Sequence, residues 1–383
     1  MPIRLSRRGR WLVPAAAVVV TGGVVVASQL TIAQAAPALP ARTPAQLLAQ
    51  VSADAKLPPL TGTVVETASL GLPQLPQAAN PTALSSLLTG SHTLQVYYES
   101  PQHFRLQVPQ TLSETDLIRD GNKAWLWQSA PDTVTEYTWP NGAARRAPAE
   151  LPAVPALTPQ QAANELLAAV GTTTTVTLQS NVLVAGEPAY QLVLAPKDPR
   201  SLIGRVVIAI DGKYGVPLRV QVFASGATSP AFQVGYTRLS FGTPAPANLQ
   251  FTPPPGATLT VVNLGTGHGT PSGGAPDQTG FGLFGSGWLT VAELPQSDLS
   301  LSRTVPGSSG PSAPVSSGPG GLGGDSQAVL SALLAAARPV HGSWGSGTLL
   351  TSSLVSVLMT DGEVYVGAVQ PSVLYAAVGH TAG

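Results

Sequence analysis

Ser91–Ser100 reads SHTLQVYYES and His103–Pro109 reads HFRLQVP, and these two runs decide the fold. In the first, Leu94, Val96 and Tyr98 alternate with Thr93, Gln95 and Tyr97; in the second, Phe104, Leu106 and Val108 alternate with His103, Arg105 and Gln107. Successive side chains of a strand point to opposite faces, so each run is a strand with one apolar face. Arg105 then falls on the opposite, solvated face. The same period of two extends outward in both directions. Upstream lies the β-branched run Leu60–Leu70; downstream come Glu114–Arg119, a turn at Asp120-Gly121-Asn122, Lys123–Gln128 and Thr133–Trp139. After an interruption it resumes at Thr173–Val184, Ala189–Ala195, Arg205–Ile210, Pro217–Ala224 and Phe232–Phe241, the pairs being separated by Gly-containing turns.

Helix signals are few. Thr43-Pro44 opens AQLLAQVSADA with Thr as N-cap and Pro at the first helical position. Thr158-Pro159-Gln160-Gln161 is a capping box leading into AANELLAAV, and Asn80-Pro81 starts a short helix over ALSSLL. Residues 140–157 are a Pro/Ala linker. The expected fold is α+β: a large antiparallel sheet of about eleven strands, covered by helices over residues 44–257. A sheet of that size curls as its twist accumulates, so it forms an open half-barrel with an apolar interior.

Composition narrows the function. The 383 residues contain 19 Lys+Arg, 19 Asp+Glu and no Cys, and only 10% are charged, against roughly 25% in soluble domains. Thiol catalysis, a disulfide scaffold, a zinc ribbon and a lipid-modified cysteine are excluded. A balanced charge argues against a nucleic-acid partner. The preference for Arg over Lys, with abundant Ala, Gly, Pro and Val, reads as a high-GC bacterial genome.

The balance is uneven along the chain. Arg4, Arg7, Arg8 and Arg10 precede the uncharged Trp11–Leu30, and Ala33-Gln34-Ala35 supplies a small-x-small cleavage site. This pattern over residues 1–35 defines an export signal, and its apolar core is also close to the ~20 residues of a membrane anchor. Either alternative leaves the rest of the chain extracytoplasmic, with 15 basic against 19 acidic residues, a net of −4.

Beyond residue 257 the chain turns Gly/Ser/Pro-rich, with a linker expected over 258–279 and another over about 303–324. The intervening Phe281–Leu294 ends as a strand. Asp325–Ala337 reads as a helix, TLLTSSLVSVLMT and EVYVGAV flank the hairpin signal Asp361-Gly362, and Pro371–Val378 is a last short helix. Residues 280–383 thus form a small second α+β unit, interrupted by its linker.

Signals for chemistry are weak. G-x-G-x-x-G occurs at Gly280–Gly285 and Gly318–Gly323, but neither follows a strand and opens a helix as a dinucleotide site requires. The five histidines (92, 103, 268, 341, 380) are scattered, and no G-x-S-x-G elbow is present. No catalytic residue, cofactor or metal ligand is assigned, and the expectation is a protein that is not an enzyme.

Whole segments, in order, carry a resemblance: PAQLLAQVSADAKLPPLTGTVVETASLGLP, LLTGSHTLQVYYESPQHFRLQV, DLIRDGNKAWLWQS, TPQQAANELLAAV, VLVAGEPAYQLVLAPKD, GRVVIAIDGKYGVPLRVQVF and LQFTPPPGA. Over about Pro44 to Ala257 the sequence resembles the actinobacterial branch of the LolA-like family of lipoprotein carriers and the N-terminal domain of RseB-like sigma-factor regulators. The resemblance implies an unclosed barrel with a helical lid, enclosing room for acyl chains or lipoprotein segments. It also implies an alternative role: an anti-sigma factor, or another membrane protein, as partner. The length of the chain and its possible anchor depart from a freely shuttling carrier. Leu94, Val96, Tyr98, Phe104, Leu106, Val108, Trp125, Trp127, Tyr190, Leu192 and Leu194 are assigned to one face. They form either a plain core or the wall of a lipid cavity.

Overall fold

A computed structural model of the protein describes residues 38–52, 57–71, 89–139, 157–168, 171–264, 282–296 and 335–381. The export segment, the helix over ALSSLL, the linkers at 140–156 and 303–324, the second Gly-rich motif and residues 325–334 of the expected C-terminal helix lie outside them.

Two adjacent sheets make the fold. The large one has twelve strands in the order β12-β6-β5-β4-β3-β2-β1-β11-β10-β9-β8-β7. Its members are β1 (Leu60–Ser69), β2 (Thr89–Ser100), β3 (His103–Pro109), β4 (Glu114–Asp120), β5 (Lys123–Gln128) and β6 (Thr133–Thr138), then β7 (Thr174–Val184), β8 (Glu187–Pro196), β9 (Ile203–Asp211), β10 (Pro217–Ala224), β11 (Phe232–Phe241) and β12 (Thr258–Asn263). Two antiparallel meanders, β1–β6 and β7–β11, are joined where β1 pairs with β11, from Leu60↔Phe241 to Ala68↔Phe232. The ends do not pair with each other, so the curled sheet stays open.

β12 departs from expectation. Thr258–Asn263, read as the start of a linker, is a strand that runs parallel to β6, Thr258 facing Thr133 and Asn263 facing Thr138. Its TLTVVN sequence is β-branched enough to pair, and the Pro-rich stretch before it brings it from the middle of the sheet to the far edge.

Two helices cover the inner face over the β7–β11 half: α1 (Pro44–Ser52) and α2 (Pro159–Ala168). Each starts at the Thr cap read from sequence, and both prove to be capping boxes. Gln46 donates its backbone N–H to Thr43 Oγ1 and Gln161 donates to Thr158 Oγ1, both at 3.2 Å, while each Gln side chain accepts from the cap's own N–H at 2.9 Å. Leu47 and Val51 of α1, with Ala162 and Ala163 of α2, are buried in the main core against Leu192, Ile208, Leu218 and Val220.

The second sheet has six strands in the order β13-β14-β18-β17-β16-β15: β13 (Gly282–Phe284), β14 (Val291–Pro295), β15 (Arg338–Gly342), β16 (Gly345–Thr351), β17 (Ser356–Met359) and β18 (Glu363–Gly367). As expected, the strand before the linker joins the Asp361-Gly362 hairpin, Val291 facing Gly367. TLLTSSLVSVLMT, read as one strand, is two. Ser352 turns the chain by donating its N–H to Val355 O at 2.8 Å and accepting Val355 N–H on Oγ at 3.0 Å, the local bonding by which Ser competes with a ladder. A final helix, Pro371–Thr381, packs Leu374, Ala377 and Val378 onto this sheet.

Both sheets belong to one compact unit, Ala38–Gly383. The Leu202 N–H reaches Ala368 O at 2.9 Å, the Gln370 N–H reaches Arg200 O at 2.8 Å, and Trp288 and Leu354 of the small sheet are buried in the core of the large one. Among the described residues no helix is long and apolar enough to cross a membrane.

Candidate functional site

Register, read strand by strand, sorts the eleven candidate residues by face. Residues directly opposite in a ladder share a face. Val96 faces Leu106, Tyr98 faces Phe104 and Leu94 faces Val64. From Val64 the same face continues through Tyr236 and, two residues on, through Val234, Val220 and Ile208 to Leu192. Nine candidates, Leu94, Val96, Tyr98, Phe104, Leu106, Val108, Tyr190, Leu192 and Leu194, therefore lie on the inner face, in or against one apolar cluster.

Trp125 and Trp127 lie on the other face. The two-residue turn Gly121-Asn122 sets Asp120 opposite Lys123, with Gly121 at φ +60°. That pairing puts Leu117, which faces Leu106, opposite Leu126, and leaves Trp125 opposite Ile118 and Trp127 opposite Asp116. Alternation reads both indoles onto the same face as the other nine; the turn length fixes the opposite phase. Outside, the chain from Pro246 to Ala257 folds over the two indoles. Phe251 sits with its ring 5.9 Å from Trp125 and 6.3 Å from Trp127, completing a satellite cluster with Ile118 and Val134. Trp125 donates its Nε1–H to Glu136 Oε2 at 2.9 Å.

Arg105, expected in solvent, also belongs to this covered outer layer. It forms an ion pair with Asp116, donating Nε–H to Oδ2 at 3.0 Å, and the Asp116 side chain is fully buried. Burial pushes the Asp116 carboxyl up to about 6, against the downward pull of the guanidinium.

The inner face is not uniformly covered. Leu94, Val96 and Val108 are buried, whereas Tyr98, Phe104 and Leu106 in the same ladders are only half-buried. Leu48, Leu166 and Leu167 on the two helices are also partly buried against this core. Gly62 matters here, because a Cβ at that position would sit 2.6 Å from the Tyr236 ring, which lies across the strand. Burial pushes the hydroxyls of Tyr98 and Tyr236 above their ordinary range.

Glu66 went unassigned in the sequence, although the alternation Leu60, Gly62, Val64, Glu66 points it inward. It faces His92 on one side and Val234 on the other and is 1% exposed. Leu157, one residue before the α2 cap, donates its N–H to Glu66 Oε2 at 3.1 Å.

Polar groups at the sheet end have a simpler role. Ser100 Oγ lies 3.1 Å from His103 Nδ1, and His103 Nε2 lies 3.3 Å from Asp120. This exposed string closes the β2–β3 turn, where Ser100 Oγ also accepts the Gln102 N–H. Among the described residues no group of three or more His, Asp or Glu could hold a metal ion.

No protein-family model matches the chain, and no curated protein matches it. Solved structures are similar at low identity. The neighbours include MucB and LolA-superfamily proteins. MucB is 14% identical over 87% of this chain and 94% of its own, with a TM-score of 0.37. The MucA/MucB complex of Pseudomonas aeruginosa gives 16% over 88% and 96%, with a TM-score of 0.40. The LolA-superfamily protein NE2245 of Nitrosomonas europaea gives 12% over 55% and 99%, with a TM-score of 0.21. At these values nothing of their ligands or partners transfers to this chain.

Proposed function

We propose that the chain is an extracytoplasmic binding protein that holds an acyl chain of a lipid or lipoprotein on the inner face of its large sheet and performs no chemistry. One observation carries this reading: apart from Glu66 and His92 the inner face is apolar from β3 to β8, and helices cover one half while Tyr98, Phe104 and Leu106 keep accessible surface on the other. Each Å² of acyl chain buried there contributes about 25 cal/mol, so binding needs only shape and apolar area. The sequence resemblance to LolA-like carriers points the same way. The test is mass spectrometry of organic extracts from protein purified out of its native envelope, before and after delipidation. A stoichiometric acyl species supports the reading; a ligand-free protein that also fails to rebind acyl chains overturns it.

A second reading is an RseB-like regulator that binds an anti-sigma factor and senses the envelope state. It is favoured by the second sheet, which the carrier role does not need and which is locked onto the first through Trp288. Affinity capture from membranes that recovers a single-span protein supports it; capture without any membrane partner counts against it. In both readings residues 1–35 act as an export signal or anchor, which N-terminal sequencing of the exported protein distinguishes.

A further inference from the structure

The edge of a sheet offers unpaired N–H and C=O groups to other chains, and folds blunt it with bulges, charges, Pro or shortness. Among the described residues three of the four edges are blunted in this way. β7 slips register against β8 between Gln179 and Val182, and the Gln191 side chain donates Nε2–H to Ser180 O at 2.6 Å. β15 carries Arg338, Pro339 and His341, and β13 is three residues long. β12 has none of these devices. TLTVVN contains no charge, Pro or Gly, and its ladder with β6 runs without a register shift. The same ladder settles which groups face outward. Thr258 donates its N–H to Asp132 O and Leu264 donates to Thr138 O, both at 2.9 Å. In a parallel pair alternate residues bond the neighbour, so Thr258, Thr260, Val262 and Leu264 turn their backbone groups toward β6. Leu259, Val261 and Asn263 turn theirs away. Leu259 and Val261 are also large apolar side chains left in solvent, at 50% and 53% exposure. They share one face, with Thr260 on the other.

The geometry points to a second copy of this chain as the occupant of this edge, its β12 running antiparallel to the first about a two-fold axis at Thr260. With the axis perpendicular to the sheet, Leu259 stands opposite Val261 of the other copy, and Val261 opposite its Leu259. These are the residues whose backbone groups turn outward, so each pair exchanges both N–H···O bonds. The register also gathers the exposed Leu259 and Val261 side chains of both copies on one face and sets Thr260 beside its own equivalent. A two-fold requires one surface to complement itself, and an uncharged strand brings no like charges together. The large sheet then continues through both molecules, and their open edges disappear into the join. A strand about 20 Å long buries less than a standard interface of about 800 Å² per partner, so the pairing is reversible. It is independent of what the inner face binds.

The chain has no Cys, so a single Thr260→Cys substitution reports the axis alone. Opposed residues that share no hydrogen bond lie about 4.5 Å apart at Cα, within reach of a disulfide. Mild oxidation of full-length T260C is expected to give a disulfide dimer at least about tenfold faster than S180C, whose equally exposed site lies on the blunted β7 edge. Adding Val261→Pro removes an outward N–H and leaves the β6 ladder intact, so thermal unfolding should not change while cross-linking falls to the S180C rate. Leu259→Lys keeps every backbone group but puts a charge into the apolar contact, and it should slow cross-linking as well. Equal cross-linking of T260C and S180C, a T260C rate that survives both V261P and L259K, or a T260C chain that stays monomeric under oxidation overturns the inference.

Discussion

Trp288 donates its indole N–H to Thr174 Oγ1 over 2.7 Å, in a buried bond between residues 114 positions apart. The indole arrives from the short 3₁₀ turn Gly287–Leu289 of the small sheet and ends in the core of the large one, beside the first residue of edge strand β7. It gives the two sheets a shared core. Trp288→Ala is expected to cost about 3–5 kcal/mol and to separate a single denaturant transition into two. Trp288→Phe keeps most of the area but removes the indole donor, leaving Thr174 Oγ1 with the long 3.5 Å bond from the Gly171 N–H, and is expected to cost about 1 kcal/mol, with one transition retained. Urea unfolding followed by far-UV circular dichroism distinguishes them.

Asp116 gives the fold a pH dependence of unusual sign. In the folded chain its carboxyl titrates at about 6, whereas an unfolded Asp titrates near about 3.9. Between those values the folded state holds a proton that the unfolded state has released. Stability is therefore greatest below about 4 and falls as pH rises toward 6. Glu66 is shifted in the same direction and adds to the slope; Asp198 and Glu136 are lowered and act oppositely, below the ordinary carboxylate range. Asp116→Asn removes its share, so urea midpoints across pH 4–7 should flatten in that variant.

Gly62→Val places methyl groups where the Tyr236 ring lies. Overpacking of this kind costs about 1–3 kcal/mol, and the displaced ring should alter the near-ultraviolet circular dichroism. A lower melting temperature with unchanged near-ultraviolet signal would contradict the close approach.

Phe104→Ala separates wall from core. Phe104 is half-buried, so its loss should cost less than that of buried Leu94, for which →Ala is expected to remove about 2–5 kcal/mol. Acyl-ligand affinity should fall about tenfold or more in Phe104→Ala, as apolar contact area is lost. Comparing melting temperature and ligand titration for both variants tests the distinction.

Much of this architecture is legible in the sequence because its signals are local. Strict alternation in β2 and β3, the N-cap at Thr43, the capping box at Thr158, and Asp361-Gly362 each dictate structure within a few residues. What escaped depends on pairing between distant segments. The apolar neighbours Leu117 and Ile118 give β4 two possible phases, and only the two-residue turn into β5 assigns Trp125 to the outside. Arg105 reads as a solvent-facing residue until Asp116 is placed beside it. Thr258–Asn263 reads as a tail because nothing nearby in the chain pairs with it; β6 lies more than a hundred residues upstream. Glu66 was visible as an acid in an inward phase, but its burial required β2, β11 and Leu157 to be brought around it.

The pairing of β1 with β11 also sets the timing of folding. Thr89–Thr138 can assemble on β1 as soon as they emerge, β2 to β6 being joined in turn by connections of two to four residues. The other edge of β1 has no local partner and must wait for Phe232–Phe241, some 170 residues later. Such sequence-distant closure slows folding and leaves a strand edge open to other chains in the meantime. A chain delivered across a membrane from its N-terminus would spend that interval half-built, its central strand acting as a template before its own partner has arrived.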